Sequence, residues 1–196
     1  MNRYAVLLLM FALASALPAC AGAPARDANP ADGATYVVYA NGVFNWPGDY
    51  SYAAKVNYRD TSGKPATGTY DLAVSLTGAW GAWQPYGPNW DFDITPYKYL
   101  QFDLKPTADG QRWDCFALMV GDKNIVDPSG NPVSVDINKY GPAPQAGVWA
   151  RYKIPLSAIM THKGEMLKAM YKFDIHDKTG SPTNVFYINN VKFTAN

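Results

Sequence analysis

The chain has 196 residues, with 17 Lys and Arg against 16 Asp and Glu, 6 tryptophans, 14 tyrosines and 2 cysteines. A formal net charge of +1 argues against a protein built to hold nucleic acid or an anionic membrane surface, which carries a clear basic excess. Two cysteines do not make a disulfide framework.

The N-terminal residues speak for export. Asn2-Arg3 gives a short positive start, and residues 4–17 form an almost unbroken apolar run. That run is shorter than the roughly 20 residues of a membrane-spanning helix, so residues 1–20 read as a secretion signal. It ends in Leu17-Pro18-Ala19-Cys20, which resembles a bacterial lipobox, with Cys20 as the lipidated first residue of the mature protein. Pro18 is unusual there, and ordinary cleavage after Ala16 or Ala21 is the alternative. Residues 21–34, small and rich in Ala and Pro, suit a flexible tether. Residues 35–196 then make one domain of a size that supports a real core. The expected location is the outer membrane or cell surface as a lipoprotein, otherwise the periplasm or the medium. Without Arg3, 16 basic residues face 16 acidic ones, which points to a neutral partner. With Cys20 lipidated, Cys115 in "RWDCFALMV" is a lone, buried, inert thiol; a Cys20–Cys115 disulfide is the alternative if it is not.

Past the tether, short runs rich in Tyr, Val, Phe and Ile recur between Gly, Pro, Asn and Asp, the signature of strands. In chain order they are 35–40, 51–58, 69–77, 98–106, 112–120, 133–137, 148–155, 169–177 and 184–194. In the fourth, Leu100, Phe102 and Leu104 alternate with Gln101, Asp103 and Lys105; in the eighth, Tyr171, Phe173 and Ile175 oppose Lys172, Asp174 and His176. One helical turn is predicted at 155–160. Nine such strands predict an all-β, antiparallel two-sheet β-sandwich. No segment is free for the crossover helices of a βαβ enzyme.

The order of these segments carries a resemblance. "VVYANGVFNWPGDYSYAAKVNYRDTSG", "GTYDLAVSLTGAWGAW" and "DITPYKYLQFDLKP" are followed by "GVWARYKIPLSAI" and "YKFDIHDKTGSPTNVFYINNVKF". Together they resemble the secreted jelly-roll modules of the galactose-binding-like class, relatives of bacterial carbohydrate-binding modules. The resemblance covers nearly all of residues 36–194 and implies a jelly roll and a sugar ligand. Many such modules have acidic residues near the start and an Asp in the last strand, which suggests a structural calcium. Here those positions are Asn41 and Asn189, and losing carboxylates weakens the case for that ion.

Sugars are held by aromatic rings laid against their C–H faces and by Asp, Asn, Gln or Arg aimed at their hydroxyls. "GAWGAWQPYGPNWDF", residues 78–92, holds three tryptophans and a tyrosine among Gly and Pro, residues that favour exposed loops. Trp80 and Trp83 are an odd number apart, so an extended chain turns one of them into the core. The expected ligand-facing set is Trp83, Tyr86 and Trp90, with Gln84 and Asn89 as hydroxyl partners and Trp46 bordering the site. Trp149 is expected in the core, and Trp113 either in the core or facing the ligand. Asp91 and Asp93 suit a turn better than a glycosidase pair, and His162 and His176 are expected to be solvated. There is no Cys/His metal spacing, no serine elbow and no phosphate loop. The expectation is non-catalytic binding of a neutral glycan by a monomer that touches the membrane only through its lipid. An envelope protein-interaction module and a polysaccharide-active enzyme, such as a lyase, are the alternatives.

Metabolic labelling with an alkyne-bearing palmitate should tag the exported chain and leave a Cys20→Ala variant untagged. Equal tagging of both, or of neither, refutes the lipobox.

Overall fold

A computed structural model describes residues 34–88, 92–119, 123–124, 134–159, 170–180 and 184–196; the sequence readings at Cys20, Asn89, Trp90, Asp91 and His162 lie outside them. Alternation along the strands sets the layers. In Tyr99–Pro106, Leu100, Phe102 and Leu104 are buried while Asp103 and Lys105 face out. The two sheets formed in this way lay their apolar faces together, as the sequence predicts.

The first sheet holds β1 (Thr35–Ala40), β2 (Val43–Phe44), β4 (Ala54–Asp60), β5 (Asp71–Leu76), β8 (Tyr99–Pro106), β12 (Ala150–Pro155) and β14 (Val185–Thr194). The second holds β3 (Gly48–Asp49), β6 (Ala82–Trp83), β7 (Pro85–Tyr86), β9 (Trp113–Met119), β10 (Lys123–Asn124), β11 (Val135–Asp136) and β13 (Met170–Asp177). Every pairing described is antiparallel. The first sheet runs β12–β8–β14–β1–β2, with β5 beside the first half of β14 and β4 outside β5. The second runs β10–β9–β13–β7–β3, with β6 against β13 and β11 against β9. A single helical turn, α1 (Leu156–Ile159), follows β12 and buries Leu156 and Ile159, close to its predicted place. A 3-10 turn covers Ile137–Tyr140.

The core is largely aromatic. Phe173 of β13 meets Phe193 of β14 edge-on at 5.9 Å, Trp113 of β9 meets Phe186 of β14 at 5.8 Å, and Phe102 stacks on Tyr152 at 5.9 Å. Such pairs add about 0.5–1.5 kcal/mol each beyond the area they bury. Cys115 is a free, buried thiol whose burial pushes it well above its usual range, as an inert cysteine requires.

One buried charge stands apart. Asp71, at the start of β5, is fully buried and neither carboxylate oxygen has a hydrogen-bond partner. Gly63 lies directly over it, so close that a side chain there would collide with the carboxylate and with the Tyr187 ring. Burial first, and then the nearby Asp60, raise its pKa to about 6. A pKa raised in the folded state means stability that is complete below the unfolded value of 3.8 and is lost as pH rises through about 6. Urea unfolding of the parent and of Asp71→Asn from pH 3.5 to 7.5 should therefore show the variant gaining on the parent across that window. A difference that does not change with pH would rule out the penalised carboxylate.

Candidate functional site

On β13, Phe173 and Ile175 point into the core, and Lys172, Asp174 and His176 point outward. Strand pairing arranges their neighbours in rows across the outer face of the second sheet. One row runs from Asp114 on β9 through His176 to Ala82 on β6 and on to Tyr52, bridged to Ala82. The next joins Asp174 to Gln84, whose Nε2 donates to Asp174 Oδ2 at 3.0 Å. The third sets Lys172 beside Tyr86 and Gly48.

These outward-facing polar groups are not open to water in the usual way. Asp174 is fully buried, and Gln84 and Asp114 are nearly so. Buried polar groups need partners, and Gln84 supplies one to Asp174 Oδ2. Asp114 accepts from Ser134 Oγ at 3.2 Å and pairs with Lys178 Nζ at 2.9 Å. His176 sits 3.9 Å from Asp174 through Nδ1. Burial lowers its pKa, against the opposing pull of Asp114 and Asp177, which leaves a neutral imidazole at pH 7. The floor is thus a packed array of amide, carboxylate and imidazole groups.

Rings wall this floor on the β3 side. Tyr50 stacks on Tyr86 at 4.8 Å and lies 6.2 Å from Tyr171. Lys172 Nζ is 5.5 Å from the Tyr50 ring and 5.4 Å from that of Tyr171. The Tyr86 ring lies over Gly48, where any side chain would strike it. Tyr52, 42 % exposed, follows in the same row, and its pKa is raised by burial and then by Asp174. At the end of β6 stands Trp80, 53 % exposed, in a left-handed conformation (φ 61) with its ring beside Gly180. A flat polar floor beside stacked tyrosines suits a flat molecule rich in hydroxyls.

A family model described as carbohydrate binding domain 30 matches residues 34–195. The chain belongs to the carbohydrate-binding domain 30 family. Among solved structures it is similar to a family 30 carbohydrate-binding module at 17 % identity, over 83 % of this chain and 99 % of that one, with TM-score 0.61. The family 30 module of a cellulosomal cellulase of Clostridium thermocellum matches at 17 % identity, covering 83 % and 98 %, with TM-score 0.58. A family 29 module mutant complexed with cellulohexaose matches at 14 % identity, covering 85 % and 94 %, with TM-score 0.55. These likenesses are of fold: the jelly-roll sandwich is shared. No match is found among curated proteins.

In this family 30 domain, the structure sorts the expected ligand-facing residues. Gln84 and Tyr86 lie on the outer face of the second sheet, within the floor and wall just described. Trp83 does not: it is fully buried, edge-on to Phe173 at 5.8 Å, and its Nε1 donates to Tyr58 Oη at 3.1 Å. The register that pairs Trp83 with Ile175 turns it inward, so the exposed member of the Trp80/Trp83 pair is Trp80. Trp46 is also a core residue, 3 % exposed and packed on Phe92, Phe173 and Phe193. His176 corrects the opposite expectation, being half-buried beside Asp174 rather than solvated. Tyr50, Tyr52, Trp80, Asp174 and His176 belong to the candidate site and were not among the expected residues, although β13 alternation already set Asp174 and His176 on one face.

The family-level suggestion of a calcium fails at Asn41 and Asn189. Asn41 Oδ1 accepts the N–H groups of Thr69 and Tyr70. Asn189 Oδ1 accepts those of Asn41 and Asn190, while its Nδ2 donates to the Tyr70 carbonyl. Both side-chain oxygens are committed to N–H donors and neither is anionic, so this pair does not fit the ion. The amides tie the same chain segments together by hydrogen bonds.

Trp83→Ala should cost about 3–5 kcal/mol of unfolding free energy, read by urea denaturation, whereas Trp80→Ala should stay within about 0.5 kcal/mol. Equal stability of the two variants would overturn this assignment of core and surface.

Proposed function

We propose that this domain binds a neutral, β-linked hexose chain, without cleaving it, along the outer face of the second sheet. One observation carries the reading: a floor of buried Asp114, Asp174 and Gln84 with half-buried His176 runs beside the stacked rings of Tyr50 and Tyr86, in a member of a carbohydrate-binding family. Gln84 and Asp174 would hydrogen-bond ring hydroxyls, and the tyrosines would take the C–H faces. The family 29 neighbours complexed with cellulohexaose and mannohexaose make those two oligosaccharides the natural probes. The two floor carboxylates are each engaged by donors, which supports holding a sugar over protonating its leaving group. With the signal and Cys20 read as above, the domain would work outside the cell on a lipid tether.

Calorimetry with cellulohexaose and mannohexaose tests the proposal. Tyr86→Ala and Tyr50→Ala should each weaken binding by about tenfold, the loss expected for one stacking ring, with the fold retained by circular dichroism. The oligosaccharide should be recovered at full length. Failure of the parent to bind either sugar, binding indifferent to both tyrosines, or shortened product would defeat the reading.

A further inference from the structure

The opposite face of the sandwich, the outer side of the first sheet, is crossed by the loop that joins β4 to β5, residues 61–70. Side chains from three other segments pin it there. Asn41 Oδ1 accepts from the N–H groups of Thr69 and Tyr70, and Lys105 Nζ donates to the Gly63 carbonyl. The Trp149 indole N–H donates to the Gly63 and Lys64 carbonyls at 3.3 and 3.0 Å. Trp149, expected from the sequence to be core, is only half-buried, because these bonds hold its ring against the loop instead of between the sheets.

Beside the loop, one carboxylate is gripped from two strands. Asp103 on β8 lies in one row between Arg151 on β12 and Asn189 on β14. Arg151 holds both Asp103 oxygens, through Nε at 2.8 Å and Nη2 at 3.2 Å, a forked geometry that fixes both groups. β14 is bulged just past Asn189, and Asn190 takes a left-handed conformation there (φ 53). The bulge brings the Asn190 side chain to the outer face, where its Nδ2 donates to Asp103 Oδ2 at 2.7 Å and to Thr67 Oγ1 at 3.3 Å. The network therefore also ties the loop to the strands.

A tie serving the loop alone would close over its own bonds. Here a cavity of about 220 Å³ remains, lined by Asp103, Trp149, Arg151 and Asn190 together with the small side chains of Ala66 and Ala150. It is smaller than the roughly 300–1,000 Å³ of drug-sized pockets. Its polar lining still has capacity in both senses. The Arg151 guanidinium has more N–H donors than Asp103 uses, and its side chain is 61 % exposed. Asn190 spends its amide N–H groups on Asp103 and Thr67, while its Oδ1 accepts from no described residue. The charges of Arg151 and Asp103 offset each other, and the other lining residues are uncharged. A small void with one indole, spare donors, a spare acceptor and no net charge fits a compact neutral molecule whose hydroxyls both give and accept.

We propose that this cavity is a second sugar site, which takes a single neutral pyranose unit with its C–H face against Trp149 and its hydroxyls on Arg151, Asp103 and Asn190. Ala66 and Ala150 keep the walls low enough to admit the ring. The groups it would meet come from the loop, β8, β12 and β14 and are already fixed by bonds to one another, so little has to be ordered on binding. This site stands apart from the floor on the second sheet and does not rest on it. Two sites on opposite faces would let one domain link two glycan chains.

The test is proton–nitrogen NMR of the isotope-labelled full chain carrying Cys20→Ala, which removes the lipidation site, titrated with the methyl β-glycosides of glucose, mannose and galactose. Trp149→Phe identifies the Trp149 indole signal by its loss. At least one glycoside should move that signal saturably, with a dissociation constant on the order of 1–10 mM, as befits a ligand of so few atoms. Ala66→Trp, at an exposed position on the wall, should weaken the response at least about tenfold by filling the cavity. Asn190→Gly suits the left-handed backbone and should weaken it about three- to tenfold by removing the spare acceptor. Circular dichroism should show both variants folded. Tyr86→Ala should leave the Trp149 response unchanged, so loss of cellulohexaose binding with that response intact would defeat only the reading of the second sheet. The proposal here is overturned if none of the three glycosides moves the Trp149 signal saturably, or if neither Ala66→Trp nor Asn190→Gly weakens the response.

Discussion

Trp46 sits where the two sheets meet, stacked on Phe193 of β14 at 6.0 Å and edge-on to Phe173 of β13 at 5.4 Å. Everything outside depends on this ring-filled seam. Large flat side chains from both layers fill the interior with few positions, so the inward half of each strand is wholly committed. The outward half is then free to carry polar groups. Trp83 extends the seam, and its N–H reaches Tyr58 of the first sheet, which in turn donates to Asp49 of the second. One polar thread thus crosses an otherwise apolar interior with each link satisfied.

The outer faces show what this arrangement permits. A sheet with one dry face ordinarily presents the other to water. Here the second sheet instead holds Asp174 and Gln84 almost without exposure, paired to each other, and keeps His176 neutral by burial. Such an array is rigid, because moving one member strands its partner. In the proposed sugar site such rigidity would matter, because a weak ligand gains affinity mainly when nothing must be ordered on binding. The first sheet uses a different device. Its bulge at Asn190 bends one strand so that a single side chain completes the grip on Asp103.

The long strands were legible because alternation is a local signal. Residues 35–40 are β1 to the residue, and the other long strands differ from their predicted limits by a few positions. The two-residue strands β2, β3, β6, β7 and β10 left no such trace, since so short a segment has no period to read. That gap explains the error over the tryptophans. The odd spacing of Trp80 and Trp83 showed that they part company, but the direction depends on β6 pairing with β13, more than ninety positions downstream. Gln84 and Tyr86 were expected on the ligand side together with Trp83, and only the pairing with β13 separates them from it. The covering of Asp174 and the bulge at Asn190 are properties of assembled strands, invisible in a string of residues.

β14 has consequences beyond packing. It lies between β8 on one side and β5 and β1 on the other, joining Lys192 to Val37 and Tyr187 to Ala73. No partner of this strand is its neighbour in sequence, so its hydrogen bonds form only after very long loops have closed. Folding is therefore dominated by distant contacts and is slow by nature. Until β14 docks, the inner edges of β1, β5 and β8 have no strand between them. The first sheet then exists as separate ribbons that invite pairing with other chains. The interval before this strand is seated is the domain's period of greatest exposure to aggregation, whatever its final stability.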